Sequence, residues 1–300
     1  MEPFSIANDL MHQPQKLRDK ARAEGYLFFR ELIDPAELAN VRAQILAICE
    51  DHRWLKSGTD PADGIAANGV AHIEGQPTFF DVYEKVLALE DFHALAHTPK
   101  LIGIFDALFG EPTLVHPRTI ARIIFPKVVQ YSTPAHQDFI HIRGTEETWT
   151  AWIPLSDCPQ TLGSLAVLPG SHTSGIFPTR DALGAGGKGI DTDTLPYTWT
   201  ASDFEAGDVI VFHSLLVHKG LPNLTEDRLR ISVDYRFQGQ SQPIDPASLE
   251  PHHGRNTWDA LYAGWKSDRH QYYWKQRTQN ACDRDAKETA AGSNTNSARS

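Results

Sequence analysis

The sequence has few cysteines and no long apolar run, and both absences narrow the kind of protein it encodes. Cys49, Cys158 and Cys282 are odd in number and far apart, so neither a disulfide framework nor a thiolate metal site is expected. No stretch reaches the roughly 18 apolar residues of a membrane-spanning helix. The first residues also lack the basic and then apolar order of a signal peptide. We therefore expect a cytoplasmic protein with no membrane partner.

Basic residues are also in deficit. The chain has 28 Lys and Arg against 38 Asp and Glu, which gives a formal net charge of −10. Nucleic acids and anionic membranes bind clustered Lys and Arg, so neither is expected as a partner. A small-molecule substrate is compatible with this charge.

The length and composition are sufficient for one large globular domain. The chain has 300 residues, of which 41% are hydrophobic and 10% aromatic, and a sizeable core can form at this size. We predict a single domain over residues 1–282. The segment 283–300 has no aromatic or large aliphatic side chain and is predicted to be a disordered tail.

The amino-terminal half carries helical signals separated by turns. Asp34 can cap a helix because its side chain can accept a backbone N–H, and Pro35 suits the first helical turn. The predicted elements of this half are helices over 15–24, 35–50 and 81–109, a strand over 26–30, and a loop over 55–78.

Beyond His116 the pattern changes to short, β-branched runs broken by Pro and Gly, which indicates a sheet region. The clearest predicted strands are Arg118–Phe125, Glu147–Pro154, Ser164–Leu168, Asp208–His213 and Arg230–Phe237. Helices first and strands afterwards predict an α+β layout. Residues 173–203 are glycine-rich without an apolar period, and we expect a long loop that acts as a lid. Aromatic residues between Trp258 and Trp274 are expected to pack on the core, with an aromatic wall of the substrate site as the alternative.

His136, Asp138 and His218 carry the strongest chemical signal in the sequence. Two imidazoles and one carboxylate hold Fe(II) on one face and leave the opposite face open. In an extended strand, residues i and i+2 share a face, so His136 and Asp138 would point at the same ion while Gln137 points away. The His-x-Asp pattern alone is weak, because a chain with 14 histidines can contain it by chance.

Three further blocks follow His136 in a fixed order. They are Trp-Ile-Pro-Leu from Trp152, Gly-Ser-Leu-Ala-Val-Leu-Pro-Gly-Ser-His from Gly163 to His172, and Gly-Asp-Val-Ile-Val-Phe-His from Gly207 to His213. With these blocks the chain resembles the phytanoyl-CoA dioxygenase family of Fe(II)/2-oxoglutarate oxygenases over about residues 20–275.

The resemblance implies a fold and a chemistry. The fold would be α+β, with a double-stranded β-helix (jelly-roll, cupin-like) core braced by N-terminal and C-terminal helices. The metal would be Fe(II), the cosubstrates 2-oxoglutarate and O2, and the products succinate and CO2. The reaction would be hydroxylation of a small metabolite, but the resemblance does not name that substrate, because one fold serves many substrates.

The family also implies an arginine that binds the far carboxylate of 2-oxoglutarate, about ten residues after the second histidine, because a guanidinium matches the fork of a carboxylate. The usual spacing falls on Leu229, between Arg228 and Arg230. A one-residue gap in the preceding loop favours Arg228, with Arg230 as the runner-up. Trp152 matches the family tryptophan near the cosubstrate, although a buried core Trp is equally natural there. Gln137 is expected to orient a ligand.

Three residues are weaker candidates for substrate binding. Arg118 and Arg122 share one face of their predicted strand, so they would meet an anionic substrate or the cosubstrate if that face points inward; a surface face is an equal alternative. His213 lies five residues before His218, and a straight strand would turn it to the opposite face in a supporting role. The rival functions are a cupin-type isomerase and a ligand-binding jelly-roll, neither of which uses 2-oxoglutarate.

Overall fold

The computed structural model describes residues 1–275 and shows a mixed fold of α-helices and antiparallel sheets. The predicted tail over 283–300 and the end of the predicted domain lie outside the described residues. The α-helices of the described part are α1 (Pro14–Glu24), α2 (Pro35–Asp51), α3 (Pro77–Leu87), α4 (Glu90–Ala94), α5 (Pro99–Phe109), α6 (Phe139–Ile142) and α7 (Trp258–Tyr262).

The helix boundaries follow from capping chemistry. The helix α1 ends at Gly25, whose φ of 76° is a conformation that glycine adopts without steric penalty. The helix α2 begins after Asp34, whose side chain accepts a hydrogen bond from the Ala36 amide at 2.9 Å. The predictions for both helices are confirmed. The single helical zone predicted over 81–109 is three helices, α3 to α5.

The strands form one large and one small antiparallel sheet, together with a short hairpin. In chain order they are β1 (Tyr26–Phe29), β2 (Thr113–Val115), β3 (Ile120–Ile124), β4 (Trp149–Pro154), β5 (Leu165–Val167), β6 (Arg180–Asp181), β7 (Lys188–Gly189), β8 (Thr200–Ala201), β9 (Val209–His213), β10 (His218–Gly220) and β11 (Arg230–Gly239). The large sheet has the order β1-β9-β4-β11-β2, with β3 also paired to β11, and the small sheet has the order β10-β5-β8.

The segment 173–203 is more structured than the expected loop. Thr200–Ala201 pairs with β5 and belongs to the small sheet, so the expectation of a loop is wrong there. Upstream, β6 and β7 form the hairpin. Its turn lies against the backbone near Ser132, where a Cβ at Gly184 would clash with a carbonyl oxygen. The lid role of this segment stays a prediction.

Two apolar cores lie on opposite sides of the large sheet. The larger one, between the sheet and the helices, includes Leu38 and Phe105. The smaller one lies between the two sheets and joins Trp152 and Phe212 of the large sheet to Val167 of the small sheet. The sheets therefore face each other across a narrow interior.

The strand β11 serves both sides of the large sheet because successive side chains of a strand point to opposite faces. Its apolar residues belong to the larger core: Ile231, Val233, Tyr235 and Phe237. Its alternate residues are polar and buried on the other face: Arg230, Ser232, Asp234, Arg236 and Gln238. A strand with this pattern places charged groups inside the molecule.

The carboxyl-terminal aromatics pack on the larger core, as predicted. Trp258, Tyr262 and Trp274 are buried there, and the indole N–H of Trp258 donates to the Leu249 carbonyl at 2.8 Å. Between residues 1 and 275, no helix is both long and apolar enough to span a bilayer.

Candidate metal centre

His136 and His218 are brought together by backbone pairing. The His136 amide donates to the His218 carbonyl at 2.9 Å, and the His218 amide donates to the His136 carbonyl at 3.0 Å. This antiparallel bridge lies at the start of β10, at the edge of the small sheet. The two imidazole centroids are 4.2 Å apart.

The side chain of Asp138 reaches the same point, but the backbone conformation of this residue differs from the predicted strand. Its φ of −62° and ψ of −31° are helical, and it caps α6. The prediction that His136 and Asp138 lie in one extended strand is therefore wrong, because the chain turns into a helix after Gln137. The side chains still converge: Oδ1 of Asp138 lies 3.5 Å from Nε2 of His136 and 3.7 Å from Nε2 of His218.

Both imidazoles are held with Nε2 facing the carboxylate. Nδ1 of His136 donates to the Pro134 carbonyl at 2.8 Å, and Nδ1 of His218 donates to the Leu216 carbonyl at 2.9 Å. These bonds place the proton on Nδ1, so the Nε2 lone pairs are free to bind a metal. Burial, and then the neighbouring His136, lowers the pKa of His218 to about 3. His218 is therefore neutral at physiological pH, as a metal ligand must be.

The second oxygen of Asp138 is held by its own partners. Oδ2 accepts a hydrogen bond from the Thr150 hydroxyl at 2.6 Å and lies 3.4 Å from Nη2 of Arg236. Burial alone would raise the pKa of the Asp138 carboxyl, but Arg236 and the two histidines outweigh it and hold the pKa well below its usual value. Two imidazoles and one ionised carboxylate, all buried, fit a divalent iron ion.

Arg230, and not Arg228, lies in the cavity of the triad. Arg230 is buried and lines this cavity together with His218. Its Nη1 donates to the Ser232 hydroxyl at 2.6 Å, while its buried Nε has no partner in the described part of the chain. The side chain of Arg228 is exposed, and its charge, after burial, helps to lower the pKa of Arg42. The structure thus places Arg230, the second choice from the sequence, beside the triad. Arg228, the first choice, lies outside the triad cavity.

Trp152 and Gln137 have different surroundings. Trp152 is buried, lines the triad cavity, and has the Arg230 guanidinium 5.8 Å from its ring. Gln137 is also buried, but its amide is occupied by backbone groups: Nε2 donates to the carbonyls of Gly175 and Leu215 at 2.8 and 2.6 Å. Gln137 therefore anchors the segment after β5 and does not line the cavity.

Arg118 and Arg122 do not act as a pair. Arg122 lines the triad cavity, but it is already bound by two carboxylates, those of Glu74 and Asp234. Arg118 precedes β3, and its Nε donates to the Glu250 carbonyl at 3.2 Å. The shared strand face therefore does not form, because β3 begins only at Ile120.

His213 opens into a separate cavity. It ends β9, and its Nε2 lies 3.9 Å from Oε1 of Glu147. The cavity it lines, of about 280 Å³, also contains Arg18, Trp149 and His172. The expected turn away from His218 is found, and His213 is not placed against the triad.

Sequence reasoning did not assign the two residues that hold Asp138. Arg236 is buried, and its Nε and Nη1 have no partner among the described residues. Thr150 lies opposite Arg236 in the β4–β11 pairing. The period-two alternation of polar residues in β11 was the available signal for Arg236, whereas no sequence pattern singles out Thr150.

Known proteins share both sequence and fold with this chain. Residues 21–232 match the phytanoyl-CoA dioxygenase (PhyH) family. The 1-deoxypentalenic acid 11-beta-hydroxylase of Streptomyces arenae is 32% identical over 193 residues, which cover 56% of this chain and 66% of that protein. The peroxisomal phytanoyl-CoA dioxygenase of Rattus norvegicus is 25% identical over 243 residues, which cover 77% of this chain and 70% of that protein. The chain thus spans about two thirds of the length of these relatives.

The solved structure of the epimerase SnoN, in complex with Fe3+, alpha ketoglutarate and nogalamycin RO, superposes with a TM-score of 0.56 at 20% identity. The superposition covers 82% of this chain and 92% of that one. This likeness shows a shared fold, and the family match covers most of the chain. The predicted family is therefore confirmed: the chain belongs to the phytanoyl-CoA dioxygenase family of non-haem iron oxygenases that use 2-oxoglutarate.

Proposed function

We propose that this protein hydroxylates a small molecule, consuming 2-oxoglutarate and O2 and releasing succinate and CO2. The observation that carries the proposal is the buried His136, Asp138 and His218 triad beside a buried, incompletely bonded Arg230. A metal ion and a dicarboxylate would each find matching groups in one cavity. The relatives named above act on small molecules, which supports a substrate of that class.

We assign the metal to the triad and the far carboxylate of 2-oxoglutarate to Arg230. When bound, Fe(II), 2-oxoglutarate and O2 supply the oxidising chemistry. Arg230 would orient the cosubstrate through a two-pronged, charge-assisted contact. Trp152 shields this contact from water with its buried ring. We further infer that the two facing sheets form a jelly-roll, which places both groups between them.

Thr150 and Arg236 are positioning residues in this account. They hold Oδ2 of Asp138, so only Oδ1 is turned toward the histidines. Such outer partners fix the direction of a ligand and raise metal affinity. The carbonyls of Pro134 and Leu216 do the same for the two imidazoles.

The test is a turnover assay with a library of small metabolites, Fe(II) and ascorbate. We expect compounds that stimulate loss of 2-oxoglutarate with an equal amount of succinate formed, and no turnover in Asp138→Ala. Conversion of a compound without loss of 2-oxoglutarate would favour the isomerase alternative. If no library compound raises 2-oxoglutarate loss in the wild type above that in Asp138→Ala, the proposal is overturned.

A further inference from the structure

A second group of two histidines and one carboxylate lies outside the triad. Glu74, His252 and His253 each offer one ligand atom, and these atoms lie within 4.8 Å of one another. Oε1 of Glu74 is 3.6 Å from Nε2 of His253, and the two imidazole centroids are 3.8 Å apart. The spacing between carboxylate and imidazole matches the 3.5 and 3.7 Å of the triad.

The backbone is strained where the two imidazoles meet. His253 has a φ of 64°, in the left-handed region that only a few per cent of non-glycine residues adopt. This turn brings the rings of two successive residues over one another, so both can face Glu74. Strain at a non-glycine residue persists only where surrounding structure enforces it, and it clusters at functional sites.

Two other polar atoms of the group are already held. Nδ1 of His252 contacts the hydroxyl of Tyr83 at 2.6 Å, and Tyr83 is fully buried in α3. Oε2 of Glu74 pairs with Nη1 of Arg122. These contacts leave Oε1 of Glu74 and one nitrogen of each imidazole to face an ion, as in the triad.

The local charge permits a cation despite Arg122. The Arg122 guanidinium is shared between two carboxylates, Glu74 at Nη1 and Asp234 at Nε. One positive charge against two negative charges leaves a net negative charge. A divalent ion on Oε1 of Glu74 would therefore be attracted by this net negative charge.

We propose that Glu74, His252 and His253 form a second metal site, which takes a divalent transition ion of the Zn²⁺ class. Two imidazoles and one carboxylate suit zinc, and partial exposure of the group leaves solvent as a fourth ligand. The bound ion would tie the segment before α3 to the segment before α7. Because Arg122 lines the triad cavity, the site stands beside the proposed active site while having its own ligands.

The experiment measures how many Zn²⁺ ions the protein retains. Tag-free, metal-depleted protein is dialysed against Zn²⁺ and analysed for its metal content. We expect two equivalents in the wild type and one in His136→Ala/His218→Ala, which lacks the triad. Adding His253→Asn to this double variant should lower the affinity for the remaining ion at least about tenfold. Asparagine tolerates the left-handed backbone at this position, so the variant removes the imidazole with little further strain.

His12→Asn, at an exposed histidine elsewhere, is the matched control and should change nothing. Thermal unfolding reports whether each variant is folded, and Zn²⁺ should raise the midpoint of His136→Ala/His218→Ala but not that of the variant with His253→Asn. Glu74→Gln should likewise lower the affinity for Zn²⁺. Retention of no zinc by the folded double variant, or zinc binding unchanged by His253→Asn and Glu74→Gln, would overturn the proposal. Neither result concerns the triad, so failure of this proposal would leave the proposed function untouched.

Discussion

The triad and the group of Glu74, His252 and His253 have the same types of side chain but lie on different kinds of backbone. In each, one carboxylate oxygen faces two imidazoles and the other is held by an arginine, Arg236 for Asp138 and Arg122 for Glu74. The triad is buried and positioned by a β-bridge and a helix start. The second group is partly exposed and lies on a turn and a short 3-10 helix, where His253 has a positive φ. Burial and regular hydrogen bonding, more than ligand type, therefore distinguish the preorganised triad from the more open second group.

Both carboxylates stay ionised, for related reasons. Burial opposes ionisation of Glu74, but Arg122 and the two histidines prevail and lower its pKa, as Arg236 and two histidines do for Asp138. A depressed folded-state pKa means that the stabilisation is present above the usual carboxyl pKa and is lost only as pH falls through the lower value. Near neutral pH, both groups therefore present a full negative charge to a cation.

The largest expected effect is loss of Fe(II), and it should distinguish the triad from the second group. Asp138→Ala removes the only carboxylate of the triad, and we expect the purified protein to lose its Fe(II). Glu74→Ala should retain the Fe(II) of the triad, because Glu74 belongs to a group with separate ligands. Metal analysis after anaerobic reconstitution gives the answer. If both variants lose iron, the two groups are coupled, and the claim that they are separate is contradicted.

A smaller effect on metal affinity is expected when a hydrogen-bond partner of Asp138 is removed. Thr150→Val keeps the shape of the side chain but removes the hydroxyl that donates to Oδ2. Loss of such an outer partner typically lowers metal affinity by about 10- to 100-fold, and we expect the lower end because Arg236 remains. Competition with a calibrated Fe(II) chelator measures this change. An unchanged affinity would mean that Arg236 alone orients the carboxylate.

The sequence was most informative where residues are close together or strongly periodic. His136 and Asp138 were found from their spacing, although the reason given, a shared strand face, was wrong because Asp138, just before α6, already has a helical backbone. The helix start at Asp34 was predictable because capping is local. The short strands β8 and β10, of two and three residues, carry too few positions for an alternating pattern to show.

Long-range contacts explain the rest of what sequence reasoning missed. Arg228 was favoured over Arg230 because the loop length before β11 sets the spacing, and a single sequence does not give it. The alternation of β11 could not separate the two, because Arg228 and Arg230 are two residues apart and would share one face of an extended strand. Glu74 and His253 meet only through the tertiary fold, and no local pattern joins them.

The most direct test of the account is an anaerobic titration of the Fe(II)-loaded protein with 2-oxoglutarate, carried out on the wild type, Arg230→Ala and Arg228→Ala. Loss of one partner of a buried, charge-assisted pair costs about 2 to 5 kcal/mol, because the other charge stays buried. We therefore predict that Arg230→Ala raises the dissociation constant for 2-oxoglutarate by about thirtyfold or more, with little change in Fe(II) affinity, and that Arg228→Ala binds like the wild type. Equal binding by Arg230→Ala and the wild type would contradict the assignment of the cosubstrate to this cavity.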